Sequence, residues 1–236
     1  MSREFEVDED YRFIGRTFAE YGRMFGIERG DLADRVILDC PGGPGSFTAV
    51  AARLTRRTLA VDPAYGPSVE RLSARCRAAV DRTVSQLQRD PSRFVWDEYG
   101  DPETRGRYLR AAAERFLADY ATHPGRYLQA ALPSLPLPTD SVDLVLSGNL
   151  LFLYDDRLDA AFHVDAMLEL ARVAREELRV FPLHALDHEE SALLAPTVER
   201  LRERGLTVER HAVPYEFQPG ATETLVVSGT AGFDGR

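Results

Sequence analysis

The sequence predicts an α/β protein with a Rossmann-like, doubly wound sheet of seven strands, mostly parallel and with the last strand antiparallel. Two observations predict this fold. From Val36 onward, apolar segments typical of strands alternate with amphipathic segments typical of helices, which favours a parallel sheet covered on both faces. In addition, the first strand ends in an acid, Asp39, and continues into a glycine-rich turn, a helix and a second strand that closes on Asp62.

The elements follow from local pattern and capping signals. Helices are indicated by apolar residues three and four positions apart, as in Ile14, Phe18 and Tyr21. Asp101 and Pro102 are typical of an N-cap and first helical position, and Gly205 of a helix end. The predicted helices are 11–25, 47–54, 67–87, 102–120, 160–173 and 191–204. The predicted strands are 36–39, 58–61, 126–131, 141–147, 178–183, 207–213 and 223–228.

The chain is predicted to form one domain, 1–236, with a helical insertion at about 66–125 between strands two and three. At 236 residues and 44% hydrophobic, it can bury one well-filled core. The interval from Asp62 to Arg126 covers 64 positions, more than one crossover helix needs. The insertion contains Trp96 and Tyr99, and it is either a lid over a substrate pocket or an extra core layer. The tail, 229–236, is expected to be frayed.

Composition excludes several classes of protein. A net charge of −9 disfavours nucleic acid, since binding to a polyanion depends on neutralising phosphates. No apolar run reaches membrane-spanning length, and residues 1–10 carry five acids and no signal-like apolar run. Cys40 and Cys76 are too few for a disulfide framework, which favours a reduced, cytoplasmic protein. The histidines and cysteines lack ligand spacing, so no metal site is expected. The oligomeric state is left open.

The glycine turn indicates the kind of cofactor. Strand, glycine turn, helix, strand and terminal acid form the usual binding site for a nucleoside-bearing cofactor in α/β proteins. From Gly43 the chain reads Gly-Pro-Gly-Ser-Phe-Thr, without the third small residue of a dinucleotide fingerprint. A phosphate-binding Walker A loop needs a lysine, and the sequence contains none. Asp62 lies nineteen positions after Gly43, near the spacing at which an acid meets ribose hydroxyls.

These residues resemble motif I of the class I S-adenosylmethionine (SAM)-dependent methyltransferases. Asp39, Gly43 and Gly45 match that motif, whereas Pro41 stands where its first glycine usually lies. The resemblance extends over roughly residues 10–228. It includes strand four with the segment that leads into it (135–147). It is strongest with an uncharacterised methyltransferase-like branch, which has similar sequences at Leu151-Phe-Leu-Tyr154 and Val213-Pro-Tyr-Glu-Phe217.

The resemblance implies a methyltransferase that binds SAM. Asp39 would bond the amides of the turn or the cofactor's amino group. Gly43 and Gly45 would direct backbone N–H groups towards its carboxylate. Asp62 would accept both ribose hydroxyls, with Pro63 against the adenine.

Two departures from the family pattern affect the adenine and the acceptor. Ala131 stands where many members have an acid that meets the adenine amino group, so backbone groups near Leu132 would take that role. Ser147-Gly148-Asn149 replaces the Asn/Asp-Pro-Pro-Tyr signature of amino-group methylation, which disfavours DNA adenine and protein glutamine as acceptors. A small-molecule acceptor is favoured, and Asn149 is expected beside the cofactor.

Several residues are candidate bases for the acceptor, although none has a compelling pattern. Tyr154 and His184 are the main candidates, and the others are Asp155, Asp156 and His163. A lone helical histidine such as His163 is more often a packed residue than a base. Two alternatives stay open: a non-catalytic SAM- or nucleoside-binding module acting as a sensor or partner protein, and a nucleotide-sugar or NAD enzyme.

Overall fold

The computed structural model describes residues 11–229, and the predictions for 1–10 and 230–236 lie outside them. One seven-stranded sheet has the order β3-β2-β1-β4-β5-β7-β6. Its strands are β1 (Val36–Asp39), β2 (Arg57–Val61), β3 (Tyr127–Leu128), β4 (Val142–Gly148), β5 (Ala174–Phe181), β6 (Thr207–Ala212) and β7 (Glu223–Ser228). Strands β1 to β5 pair in parallel, and β7 is antiparallel to both its neighbours. The predicted fold class is confirmed.

The helices are α1 (Phe18–Phe25), α2 (Phe47–Ala51), α3 (Val69–Arg89), α4 (Pro102–Thr122), α5 (Ala160–Val173) and α6 (Leu194–Glu203). Alternate residues of the central strands enter different cores: Ile37 packs with α1 and α2, whereas Leu38 packs with α5. Because side chains alternate across a strand, both faces of the sheet are covered.

Several predicted bounds differ from the structure; the fifth strand, for example, is Ala174–Phe181 and not 178–183. The first helix begins at Phe18 and not at Tyr11, because Thr17 and Glu20 form a capping box that fixes its start. The third strand is only Tyr127–Leu128, a short edge strand next to β2. The sixth helix begins at Leu194, after a turn at Ser191.

The insertion between β2 and β3 contains α3 and α4, two 21-residue helices that pack against each other. Asp101 is the N-cap of α4 and accepts a hydrogen bond from the Thr104 amide, as predicted. Leu72 and Cys76 of α3 meet Phe116 of α4 in a buried cluster. Most of the insertion is therefore an additional core layer.

Candidate functional site

The site lies at the carboxyl ends of β1 and β2. Asp39 is the last residue of β1, and Asp62 directly follows β2. Their side chains are 1% and 7% exposed, so two carboxyl groups lie under the glycine turn. Ligands of open α/β sheets bind at this edge of the sheet.

Two positions of the glycine turn disfavour a side chain, Gly43 because of its backbone conformation and Gly42 because of its close neighbours. Gly43 has a φ of +48°, a left-handed conformation that favours glycine. A Cβ on Gly42 would lie 2.6 Å from the Tyr65 hydroxyl oxygen and 2.8 Å from Ala60 Cβ. The Tyr65 hydroxyl donates to the Gly43 carbonyl at 2.7 Å.

The backbone amides of this turn are engaged within the protein, which differs from the sequence-based expectation. The Gly43 amide donates to Asp62 Oδ2 at 2.9 Å, and the Gly45 amide donates to the Gly42 carbonyl at 3.2 Å. The Ser46 amide donates to the Arg16 carbonyl at 3.0 Å. These N–H groups are therefore not directed at a ligand carboxylate.

Asp39 also has a different partner from the one expected. Its Oδ1 accepts a hydrogen bond from the Tyr21 hydroxyl at 2.9 Å, while the turn amide bonds Asp62. Burial raises the pKa of Asp39 well above its usual value; the Tyr21 hydrogen bond opposes this and the charge of Asp62 adds to it. Asp39 supports the turn from below and does not line the cavity above it.

Asp62 is the carboxylate that faces the cavity. Its Oδ1 accepts from the Ala64 amide at 2.8 Å, and its Oδ2 accepts from Gly43. Burial raises its pKa, and these two bonds and the charge of Arg75 oppose the rise. Each carboxylate oxygen can accept more than one hydrogen bond, so Asp62 retains capacity for a ligand diol.

Residues 11–16 form the roof of the site. The sequence predicted that they belong to a helix, so this role was not predicted. A Cβ on Gly15 would lie 2.1 Å from the Pro44 carbonyl oxygen, so this segment packs directly on the glycine turn. Arg12, Phe13 and Arg16 line the cavity beneath it. The Thr17–Glu20 capping box, visible in the sequence, is the signal that could have placed this segment outside the helix.

The cavity has a narrow inner part next to β2 and β3. Its walls bring together six of the residues predicted to bind or flank a ligand: Pro41, Asp62, Pro63, Leu132, Asn149 and Tyr154. Ala130 and Ala131 complete a largely apolar slot next to Asp62. The slot is largely apolar and opens beside the Asp62 carboxylate.

A wider part continues from Asp62 along Gly43 towards the roof. It shares Pro41, Asp62 and Asn149 with the inner part, so the two form one cleft. Arg16 Nη2 donates to Asn149 Oδ1 at 3.1 Å, and Arg16 Nε is buried with no hydrogen-bond partner among the described residues. The nearest carboxylate to that Nε is Glu20 Oε1, at 3.9 Å, and Glu20 is itself paired with Arg105. The guanidinium of Arg16 at the cleft wall therefore has hydrogen-bonding capacity left for an anionic ligand group.

A buried network holds α1 and the roof. Glu20 Oε1 accepts from Arg105 at 2.5 Å and from the Tyr99 hydroxyl at 2.6 Å, while its Oε2 accepts from Thr17. Burial acts to raise the pKa of Glu20, but the positive charges of Arg105 and Arg16 bring it below its usual value. These hydrogen bonds hold the first turn of α1 in place, and so they fix how the chain passes from residues 11–16 into that helix.

Of the two main candidate bases, only Tyr154 lies at the cleft. Its hydroxyl accepts a hydrogen bond from the Arg12 amide at 3.2 Å, and its side chain lines the inner and outer parts. His184 lines neither part, and its Nδ1 is buried without a partner among the described residues. His188, four positions on, lines the outer part, which sequence reasoning missed.

The remaining candidate bases have structural roles. His163 is fully buried, its Nε2 accepts from the Phe152 amide, its Nδ1 bonds the Asp159 carbonyl, and burial lowers its pKa. Asp155 accepts from Ser191 at 2.7 Å. Asp159, and neither Asp155 nor Asp156, caps the following helix.

The insertion reaches the cleft through Arg93 and Phe94 and not through the aromatics that were predicted to do so. Trp96 packs on Phe217 and donates its indole N–H to the Pro91 carbonyl, while Tyr99 is 3% exposed. Neither lines the cleft. Of the two alternatives for the insertion, the positions of Trp96 and Tyr99 therefore favour the core layer over a lid formed by these two residues.

Within residues 11–229 no group of three or more His, Cys, Asp or Glu side chains could hold a metal ion. In the same part of the chain no helix is both long enough and apolar enough to span a membrane.

The chain is similar in sequence to an uncharacterised protein of Methanocaldococcus jannaschii, with 29% identity over 220 residues, 93% of this chain and 96% of that one. No protein-family model matches. The strand order and the antiparallel last strand are those of the class I SAM-dependent methyltransferase fold, so the family resemblance holds at the level of the fold.

Several solved structures are similar to the chain. A precorrin-6y C5,15-methyltransferase from Geobacter metallireducens has 15% identity over 90% of this chain and 87% of its own, with a TM-score of 0.44. A SAM-dependent methyltransferase from Aquifex aeolicus has 13% identity over 85% and 86%, with a TM-score of 0.42. Magnesium protoporphyrin IX methyltransferase from Synechocystis, with bound SAM, has 11% identity over 84% and 71%, with a TM-score of 0.43.

Proposed function

We propose that the protein binds SAM in this cleft and transfers its methyl group to a small-molecule acceptor. One observation carries the proposal: a single cleft has a buried carboxylate, Asp62, beside a largely apolar slot, and an arginine, Arg16, whose Nε is buried without a hydrogen-bond partner among the described residues, further along. SAM has the complementary groups, namely a base, a ribose diol and a carboxylate on the methionine end.

The engaged turn amides favour this cofactor over a dinucleotide. A pyrophosphate is normally bound by free amides of the glycine turn. Here the Gly43 amide bonds a carboxylate, and that negative charge would repel a phosphate at the same place. We therefore assign the cofactor's carboxylate to Arg16 and its ribose to Asp62.

When bound, SAM supplies an electrophilic methyl group on a positively charged sulfur. The residues of the cleft hold the acceptor in line with that methyl group and exclude water. Transfer would exchange the bond from sulfur to the methyl carbon for one from that carbon to a heteroatom of the acceptor, giving S-adenosylhomocysteine (SAH), with the acceptor's proton passing to solvent. Tyr154 lies where the parts of the cleft meet, and we assign its hydroxyl to orienting the acceptor.

We also propose a cytoplasmic location, because Cys40 and Cys76 are both free and buried, as fits a reducing compartment.

The test is transfer of labelled methyl from SAM into a deproteinised, nuclease-treated metabolite extract. We expect the label in small molecules with the wild-type protein and little with Asp62→Ala. Asp165→Ala, which removes an exposed carboxylate on α5, is the matched control and should retain activity. SAH binding without any labelled product would favour the non-catalytic binding module, and absence of both would contradict the proposal.

A further inference from the structure

Positive charge is concentrated around the outer half of the cleft. Four residues, here called the arginine rim, carry it: Arg12, Arg82, Arg93 and Arg157. Arg12 and Arg93 line the same part of the cleft as Asp62. The other two line an adjoining hollow that shares Arg12 and Tyr154 with it.

The rim has few protein counter-ions. Within residues 11–229, Asp62 is the only acid lining the cleft and the adjoining hollow, and it is bonded to the glycine turn. In the same range Arg12, Arg82 and Arg93 have no carboxylate within ion-pair distance, whereas Arg157 pairs with Asp156 at 3.2 Å. The protein as a whole carries a net charge of −9, so this local excess of cations is not a consequence of composition.

Two cations of the rim, Arg12 and Arg157, are close enough for one to affect the other. The Arg157 guanidinium lies 5.2 Å from the centre of the Tyr154 ring. Desolvation by the surrounding protein lowers the pKa of Arg12; the charge of Tyr154 opposes this, and the charges of Arg16 and Arg157 lower it further. Arg12, which has no carboxylate within ion-pair distance among residues 11–229, therefore lies among like charges, and such a place favours an anionic ligand.

An apolar surface lies beside the rim. The rings of Phe94 and Phe217 are stacked at 4.8 Å with an interplanar angle of 17°, and Leu153 and Leu186 line the same part of the cleft. A flat apolar body can rest here while a charged substituent reaches the arginines.

We propose that the methyl acceptor is a small molecule with a flat apolar body and a carboxylate or phosphate group that binds within the arginine rim. This inference rests on the proposed function, because it takes the slot beside Asp62 and the Arg16 donor to be occupied by the cofactor. Arginine suits both anions, since its planar guanidinium forms paired hydrogen bonds to either.

The experiment is a ligand-observed NMR titration of the full chain with benzoate, phenyl phosphate and uncharged benzamide, with and without saturating SAH. We expect at least one of the two anions to bind about ten times more tightly than benzamide, and the tighter one identifies the anionic group. Arg12→Gln and Arg82→Gln should each weaken the anions several-fold without changing benzamide. Arg12→Lys should restore part of the loss, because a point charge replaces the planar donor.

Arg89→Gln is the matched control, because Arg89 is exposed on α3 two turns after Arg82 and lies outside the cleft. It should leave all three probes unchanged. Equal binding of benzamide and both anions, an equal effect of Arg89→Gln and Arg82→Gln, or displacement of the probes by a single-stranded oligonucleotide would overturn the inference. The titration is also run without SAH, so binding of the anions to the arginine rim is measured whether or not SAH binds. Failure of SAH to bind would therefore contradict the proposed function alone.

Discussion

Replacing Asp62 by alanine tests the part of the site on which the cofactor assignment depends most. The carboxylate is 7% exposed and accepts hydrogen bonds from the Gly43 amide at 2.9 Å and the Ala64 amide at 2.8 Å. Its removal leaves both amides without this partner and takes away the proposed acceptor of the ribose hydroxyls. The substitution should therefore lower both stability and cofactor affinity.

The expected magnitudes follow from these bonds. Two buried amides without partners cost about 1–3 kcal/mol each, but removing a carboxyl group whose pKa is raised by burial offsets part of this loss. We expect a net loss of unfolding free energy on the order of 2 kcal/mol. Losing a hydrogen bond to a charged group costs about 1.5–3 kcal/mol, so SAH affinity should fall about tenfold to a hundredfold or more.

The assays are urea denaturation for stability and isothermal titration calorimetry with SAH for affinity. Asp165→Ala, at an exposed position of α5, should change neither quantity. Asp62→Asn keeps the size of the side chain and one carbonyl oxygen, and should fall between the wild type and alanine. A folded Asp62→Ala protein with wild-type SAH affinity would refute the assignment of Asp62 to the ribose.

Three further predictions concern the turn, its buried acid and the buried ion pair. Gly43→Ala should weaken SAH binding in calorimetry, because the φ of +48° at this position is strained for alanine. The control is Gly100→Ala, at a φ of +75° in open space away from the cleft. It should lower stability by a similar amount and leave SAH binding unchanged. Because the pKa of Asp39 is raised in the folded state, ionisation of this carboxyl group destabilises the folded wild type as the pH rises from about 4. Asp39→Asn cannot ionise there, so in urea denaturation its stability relative to the wild type should increase over the same pH range. A difference that does not depend on pH would contradict this. Arg105→Met should cost about 3–5 kcal/mol of unfolding free energy, because it leaves the buried Glu20 without its hydrogen-bonded cation, with Arg16 Nε 3.9 Å away as the remaining positive group. A loss below about 1 kcal/mol on the same measurement would show that the pair is dispensable.

Strong local signals predicted much of the fold. The bounds of β1, α5 and β7 were predicted correctly, since apolar runs with capping or turn residues define each of them. The region 11–17 was assigned to a helix because Phe13 and Ile14 continue the helical spacing of α1. In the structure Phe13 is buried by packing at the cleft, so its apolar character reflects tertiary contacts and not helix periodicity.

The site was predicted less completely, because its hydrogen bonds join distant segments. The sequence places Asp62 and Gly43 near one sheet edge, but it does not show that the Gly43 amide donates to Asp62 and not to a ligand. In the same way, nothing local to Arg12 or Arg16 indicates that the chain folds back over the glycine turn. The core position of Tyr99 depends on Glu20 and Tyr215, residues far away in the sequence.

Calorimetric titration of the wild-type protein with SAH, beside NAD and NADP under the same conditions, tests the central claim most directly. We expect one SAH bound per chain and no measurable binding of either dinucleotide, because the turn amides that would hold a pyrophosphate are engaged within the protein. Binding of NAD or NADP with no binding of SAH would contradict it.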